Sequence, residues 1–143
     1  MTSDKQAVSA GVRRRGGDGT VIVFAFAMLK NFRTYHVSVR FYRLCEEVRC
    51  PRHLREQLSR ASSSIALNLS EGTARPTRRD RKRSYSMAMS SLRECQTILE
   101  LANIPVDAEV SSVADSLGGQ IYRLLQTLLP TPDEQASDQQ GSR

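Results

Sequence analysis

The 143-residue chain has no tryptophan, five prolines and only three cysteines. Three cysteines (Cys45, Cys50 and Cys95) are an odd number without CxxC spacing. They therefore build neither a disulfide framework nor a redox motif, and they fit small buried thiols in a reducing, cytoplasmic compartment. Cys45, Cys50 and His53 match no standard zinc spacing, so neither a metal nor another cofactor is expected. β-Branched runs are scarce outside residues 20–24, which favours helix over sheet. The longest apolar run, "TVIVFAFAML", is far short of the roughly 20 residues that span a bilayer, and no membrane partner is expected. No catalytic constellation is visible either. Both histidines lie on polar helix edges, the serines at 62–64 lack a base, and no carboxylate pair is placed for acid–base work, so the chain reads as non-enzymatic, with no small-molecule substrate.

Helical periodicity and a localised positive charge are what the sequence does have. The chain divides into three parts. Residues 1–27 read as a disordered or over-long N-terminal extension, with Met28 as the natural start and residues 1–20 mobile. Residues 28–129 read as the folded unit, and 130–143 as a disordered polar tail. Four helices are expected, at about 29–49, 52–71, 78–102 and 108–129. In the first, Phe32, Tyr35, Val39 and Tyr42 form one stripe, while Val37, Phe41, Leu44 and Val48 form a second on nearly the opposite side. Pro51 separates the first two helices. The second buries Leu54, Leu58, Ala61, Ile65 and Leu69, and Gly72 stands where a left-handed cap would end it. Thr77 and Asp80 form a capping-box-like start for the third, which turns Tyr85, Ala88, Leu92, Cys95 and Leu99 inward before Asn103 and Pro105 stop it. Asp107 is the expected N-cap of the fourth, whose stripe runs from Val110 through Val113, Ala114, Leu117 and Ile121 to Leu124, Leu125 and Leu128. Gly118 and Gly119 interrupt that helix and suggest a bend or a close contact.

Four helices on short loops give an all-α, up-and-down antiparallel four-helix bundle. Leu67, Met87, Ile98 and Leu101, with the row Val37, Phe41, Leu44 and Val48, fall off the core stripes. Such residues together would make a surface for self-association, a homo-oligomer interface.

The segment "SSSIALNLSEGTARPTRRDRKRS" (62–84) carries the rest. Its spacing puts Ser64, Asn68 and Glu71 on one helix edge, with Arg75 just past the turn as the partner of Glu71. The structural reading is a network locking the corner between the second and third helices. Residues 52–83 hold nine Arg and Lys against Glu56, Glu71 and Asp80, an excess equal to the whole net charge of +6. Arg75, Arg78, Arg79, Lys82 and Arg83 are thus candidates for contact with a polyanion. The choices are a nucleic-acid backbone (RNA or DNA, with RNA favoured), an acidic protein surface, or simply a solvated face.

At these residues the chain resembles the four-helix-bundle proteins of the 23S rRNA-intervening sequence family. The family pattern S-I-x-x-N-x-x-E-G-x-x-R, then A-x-G-S-L-x-E, maps onto Ser64, Ile65, Asn68, Glu71, Gly72 and Arg75, then Ala88, Ser91, Leu92 and Glu94. Departures are Ser90 and Ala74 in place of usual glycines and Arg81 in place of a common aromatic. The resemblance spans about residues 29–129 and implies a short bundle assembled as a ring-like pentamer, with no established activity for most members. An architectural relative, the accessory protein of diversity-generating retroelements, works with a reverse transcriptase and nucleic acid through a basic surface. By analogy, an oligomeric adaptor for such a protein partner is the second functional expectation.

Overall fold

The computed structural model describes residues 27–130; what the sequence suggests for residues 1–26 and 131–143 lies outside the described residues. Among the described residues, helical residues 27–30 precede four long helices: α1 (Arg33–Glu47), α2 (Arg52–Ala74), α3 (Arg78–Leu101) and α4 (Glu109–Thr127). No strand occurs among the described residues. Each helix packs on its neighbour in sequence, and α4 closes the circuit by packing on α1, with the α2–α3 seam the most extensive. With short loops between them the helices alternate in direction, giving the antiparallel four-helix arrangement.

Helix boundaries follow local chemistry. Pro51 occupies the N-cap of α2, and its carbonyl accepts from the amides of Leu54 and Arg55 at 3.0 Å. Thr77 caps α3: its Oγ1 accepts from the Asp80 amide at 3.1 Å and donates to Asp80 Oδ2 at 2.7 Å. Asn103 takes a left-handed φ of 55° beyond the end of α3. The amide of Ile104 then reaches back to Leu99 O and that of Asn103 to Glu100 O, a Schellman closure that satisfies two end carbonyls. Asp107 does not cap α4; Ala108 holds that position and no side chain caps the helix.

The core is built from Leu58, Ala61, Ile65 and Leu69 of α2, Tyr85, Ala88, Leu92, Cys95 and Leu99 of α3, and Val110, Val113, Ala114, Leu117 and Ile121 of α4, as their periodicity predicts. α1 corrects the expectation. Its buried residues are Thr34, Ser38, Phe41 and Cys45, and Val48 just beyond its end is buried too. Val37 and Leu44 pack half-buried against the same core, whereas Tyr35, Val39 and Tyr42 lie half-buried outside it. The second row is thus the core face and no free interface. Polar residues inside that face hide it from a hydropathy reading. Ser38 can be fully buried because its hydroxyl donates to Tyr35 O at 2.6 Å within its own turn, and Ser62 on α2 does the same to Ser59 O at 3.2 Å. Ile98 is also core. Of the residues expected off the core, Leu67, Met87 and Leu101 are the ones left exposed.

α2 passes through Gly72 to Ala74 rather than ending there. The glycine serves a close approach: a Cβ at this position would stand 2.7 Å from Tyr85 Cδ1 and 3.0 Å from Cζ. The ring is itself buried and tilted against Phe32, with centroids 6.3 Å apart. Gly72→Ala gains about 1 kcal/mol of helix propensity but overpacks a fixed ring, which costs about 1–3 kcal/mol. A lower urea midpoint is expected for Gly72→Ala, recovered when Tyr85→Leu is added. A midpoint raised by the alanine alone would show that the ring yields. Gly118 similarly faces Leu92 Cδ2, 3.4 Å from a Cβ there, and α4 continues through both of its glycines.

Candidate nucleic-acid interface

The signature residues meet across the α2–α3 seam. Asn68 Nδ2 donates to Ser64 O at 2.9 Å and to Ser64 Oγ at 3.1 Å, while Ser64 Oγ and Ser91 Oγ lie 3.0 Å apart. The buried amide is therefore satisfied by its own preceding turn, and the serine pair carries the link between helices. Glu71 pairs with Arg75 one turn later, across the end of α2, and the bond raises the guanidinium pKa above its usual value. Glu94 points outward and does not join this network.

The basic run divides by its hydrogen-bond partners. Arg75 is engaged by Glu71. Arg78 donates to Thr127 O at 3.0 Å and Leu129 O at 3.1 Å, closing the carbonyl end of α4. Arg81, which was not among the candidates, donates from Nε to Arg75 O at 2.9 Å and closes the end of α2. These contacts set cations against the negative poles of two helices. Arg79, Lys82 and Arg83 are exposed in the first two turns of α3, with no hydrogen bond or ion pair among the described residues. Tyr85, the aromatic nearest the run, is buried on Gly72 and has no face to offer a base. Burial is also what raises its phenol pKa, with Arg81 acting in the opposite direction.

Antiparallel alternation adds residues that linear spacing does not reveal. α1 and α3 begin, and α2 and α4 finish, at the same end of the bundle. Arg33 at the start of α1 and Arg123 near the finish of α4 therefore join the 75–83 run, and only Glu71 and Asp80 oppose them among the described residues there. The other end carries Glu46, Glu47, Glu56, Glu94, Glu100, Asp107, Glu109 and Asp115 among its arginines, some of them paired, as Arg52 is with Glu56 and Arg40 with Glu109. The positive excess is thus gathered at one pole.

Residues 32–105 match the profile of the 23S rRNA-intervening sequence protein family. The chain belongs to that family. The match takes in α1, α2, α3 and the turn after them, and so includes the serine–asparagine seam, the Glu71–Arg75 pair, Gly72 and the basic start of α3. Comparison with curated proteins and with solved structures gives no match. No helix among the described residues is long and apolar enough to cross a membrane.

The thiols sit apart from this surface. Burial pushes Cys45 up to about 12, against a weaker opposing hydrogen bond from Ser62, and burial likewise pushes Cys95 up. Both are core residues, held as unreactive thiols.

Proposed function

We propose that this family member is a non-enzymatic helical bundle that binds the phosphate backbone of nucleic acid at its basic pole. The observation that carries the reading is the set Arg79, Lys82 and Arg83, exposed and without an ion pair among the described residues, at the same pole as Arg33 and Arg123. Arg75, paired with Glu71, and Arg78, which closes the end of α4, contribute field more than contact. Lysine and arginine without a stacking aromatic suit positioning on phosphates, not base reading. Such binding releases counterions, so log affinity for a single strand falls with log salt by about 0.7 per phosphate contact. A slope between about −2, for three engaged cations, and −3.5, for five, is expected by fluorescence anisotropy, with equal affinity for unrelated sequences. Binding that ignores salt, or no retention of RNA or DNA at low salt, overturns the reading.

A second reading, an oligomeric adaptor for an acidic protein, is favoured by the exposed Leu67, Met87 and Leu101, at 69%, 51% and 63% exposure. Protein free of nucleic acid at low salt, as judged by the 260 to 280 nm absorbance ratio, that captures one acidic polypeptide would favour it.

A further inference from the structure

A cavity of about 350 Å3 opens at the same pole between the start of α1 and the finish of α4, lined by Arg33, Thr34, Gln120, Arg123, Leu124 and Thr127. This volume is within the range of small-ligand sites, about 300–1,000 Å3. Two guanidinium groups flank it. Arg123 spends its Nε on Gly119 O at 3.1 Å, and no other hydrogen bond or ion pair holds its terminal nitrogens among the described residues. α1 begins with no side-chain cap and no acid in its first turn, so its positive pole adds to the field. The negative pole of α4 opposite is blunted by Arg78, which takes the carbonyls of Thr127 and Leu129.

The second observation is Gln120. Its Nε2 donates to Ser116 Oγ at 3.3 Å, but its Oε1 is shielded from solvent and has no hydrogen-bond partner. A buried acceptor without a donor is costly and calls for one. The terminal torsion of a glutamine is soft, so a small swing presents this oxygen to whatever enters. The lining therefore offers two arginines to an anion and a carbonyl oxygen to a hydroxyl donor. Leu124 adds an apolar patch to the lining.

We infer that this cavity takes one ribose-phosphate unit of an RNA strand, with Arg33 and Arg123 on the phosphate and Gln120 Oε1 accepting from the ribose 2′-hydroxyl. The inference rests on the backbone-binding reading above and adds to it the choice of RNA over DNA, because only RNA carries that hydroxyl. The outward cations of α3 hold the strand without regard to its sugar, whereas the cavity tests the sugar.

The test uses the full chain with four probes in fluorescence anisotropy: a single-stranded RNA 12-mer, the same sequence as DNA, the same RNA fully 2′-O-methylated, and mixed ribonucleoside 5′-monophosphates as competitor. One satisfied hydroxyl should favour RNA over DNA by about fivefold, and 2′-O-methylation should remove that preference. Gln120→Leu should bring RNA down to about the DNA level, while Arg123→Ala weakens RNA and DNA alike. Equal affinity of the unmodified protein for RNA, DNA and methylated RNA overturns the cavity assignment. If that equality comes with a steep salt slope, the backbone reading survives; absence of all binding removes both. Displacement of RNA by micromolar monophosphates would make a free nucleotide the occupant and also overturn the assignment. The comparison of probes on the unmodified protein decides the matter even if a variant fails to fold.

Discussion

Phe41→Ala is expected to remove about 3–5 kcal/mol of stability, the usual result of emptying a fully buried aromatic site. The side chain has 0% exposure and sits among the core residues of all four helices. A domain of this size has only about 5–15 kcal/mol in total, so the variant should unfold at a much lower urea concentration and lie near the edge of folding at 37 °C. Leu67→Ala is the matched control. Leu67 is 69% exposed on α2, and its truncation should stay within about 0.5 kcal/mol. The pair separates two roles for residues that look alike in hydropathy. If Phe41→Ala kept its urea midpoint and altered only the mass seen in light scattering, the phenyl group would belong to a contact between copies, and the placement of α1 would be wrong.

The difference between those two residues marks where the sequence stops being readable. On α2, α3 and α4 the inward faces carry long apolar series at three- and four-residue steps, such as Leu58, Ala61, Ile65 and Leu69, so periodicity finds them in spite of the buried Ser62, Asn68 and Ser84. On α1 the inward face is Thr34, Ser38, Phe41 and Cys45. Its hydroxyl at Ser38 is satisfied within the helix, a contact that depends on geometry and leaves no mark on hydropathy. Gly72 was misleading for a related reason. A glycine near a helix end usually signals a stop, but this one is demanded by Tyr85 on another helix. Contacts made within a few residues were legible: the Thr77–Asp80 cap and the Glu71–Arg75 pair both follow from spacing. Arg78 was not, because the carbonyls it closes belong to residues 127 and 129, and no local pattern reports a partner so distant along the chain. Arg33 and Arg123 could have been found from topology, since alternation of four helices brings the first start and the last finish to one pole.

Reversing Arg79, Lys82 and Arg83 together to glutamate should cut affinity for RNA and DNA by on the order of 100-fold at low salt and flatten the salt slope by about 2, at about 0.7 per lost contact. The loss should be the same for every sequence, because none of the three is placed to read a base. Stability should hardly change. The three side chains make no hydrogen bond or ion pair among the described residues, and glutamate in the opening turns of α3 interacts favourably with the positive pole of that helix. Arg78→Ala gives the opposite pattern. It strands the carbonyls of Thr127 and Leu129 at the finish of α4, so thermal stability should drop while most of the affinity and the slope remain. Two cations five residues or fewer apart would then differ in kind, one set meeting phosphate and the other holding a helix end. A triple reversal that leaves the salt slope intact, or an Arg78→Ala variant that loses binding with its melting curve unmoved, would assign the contact surface to the capping arginines and overturn the division drawn from their hydrogen-bond partners.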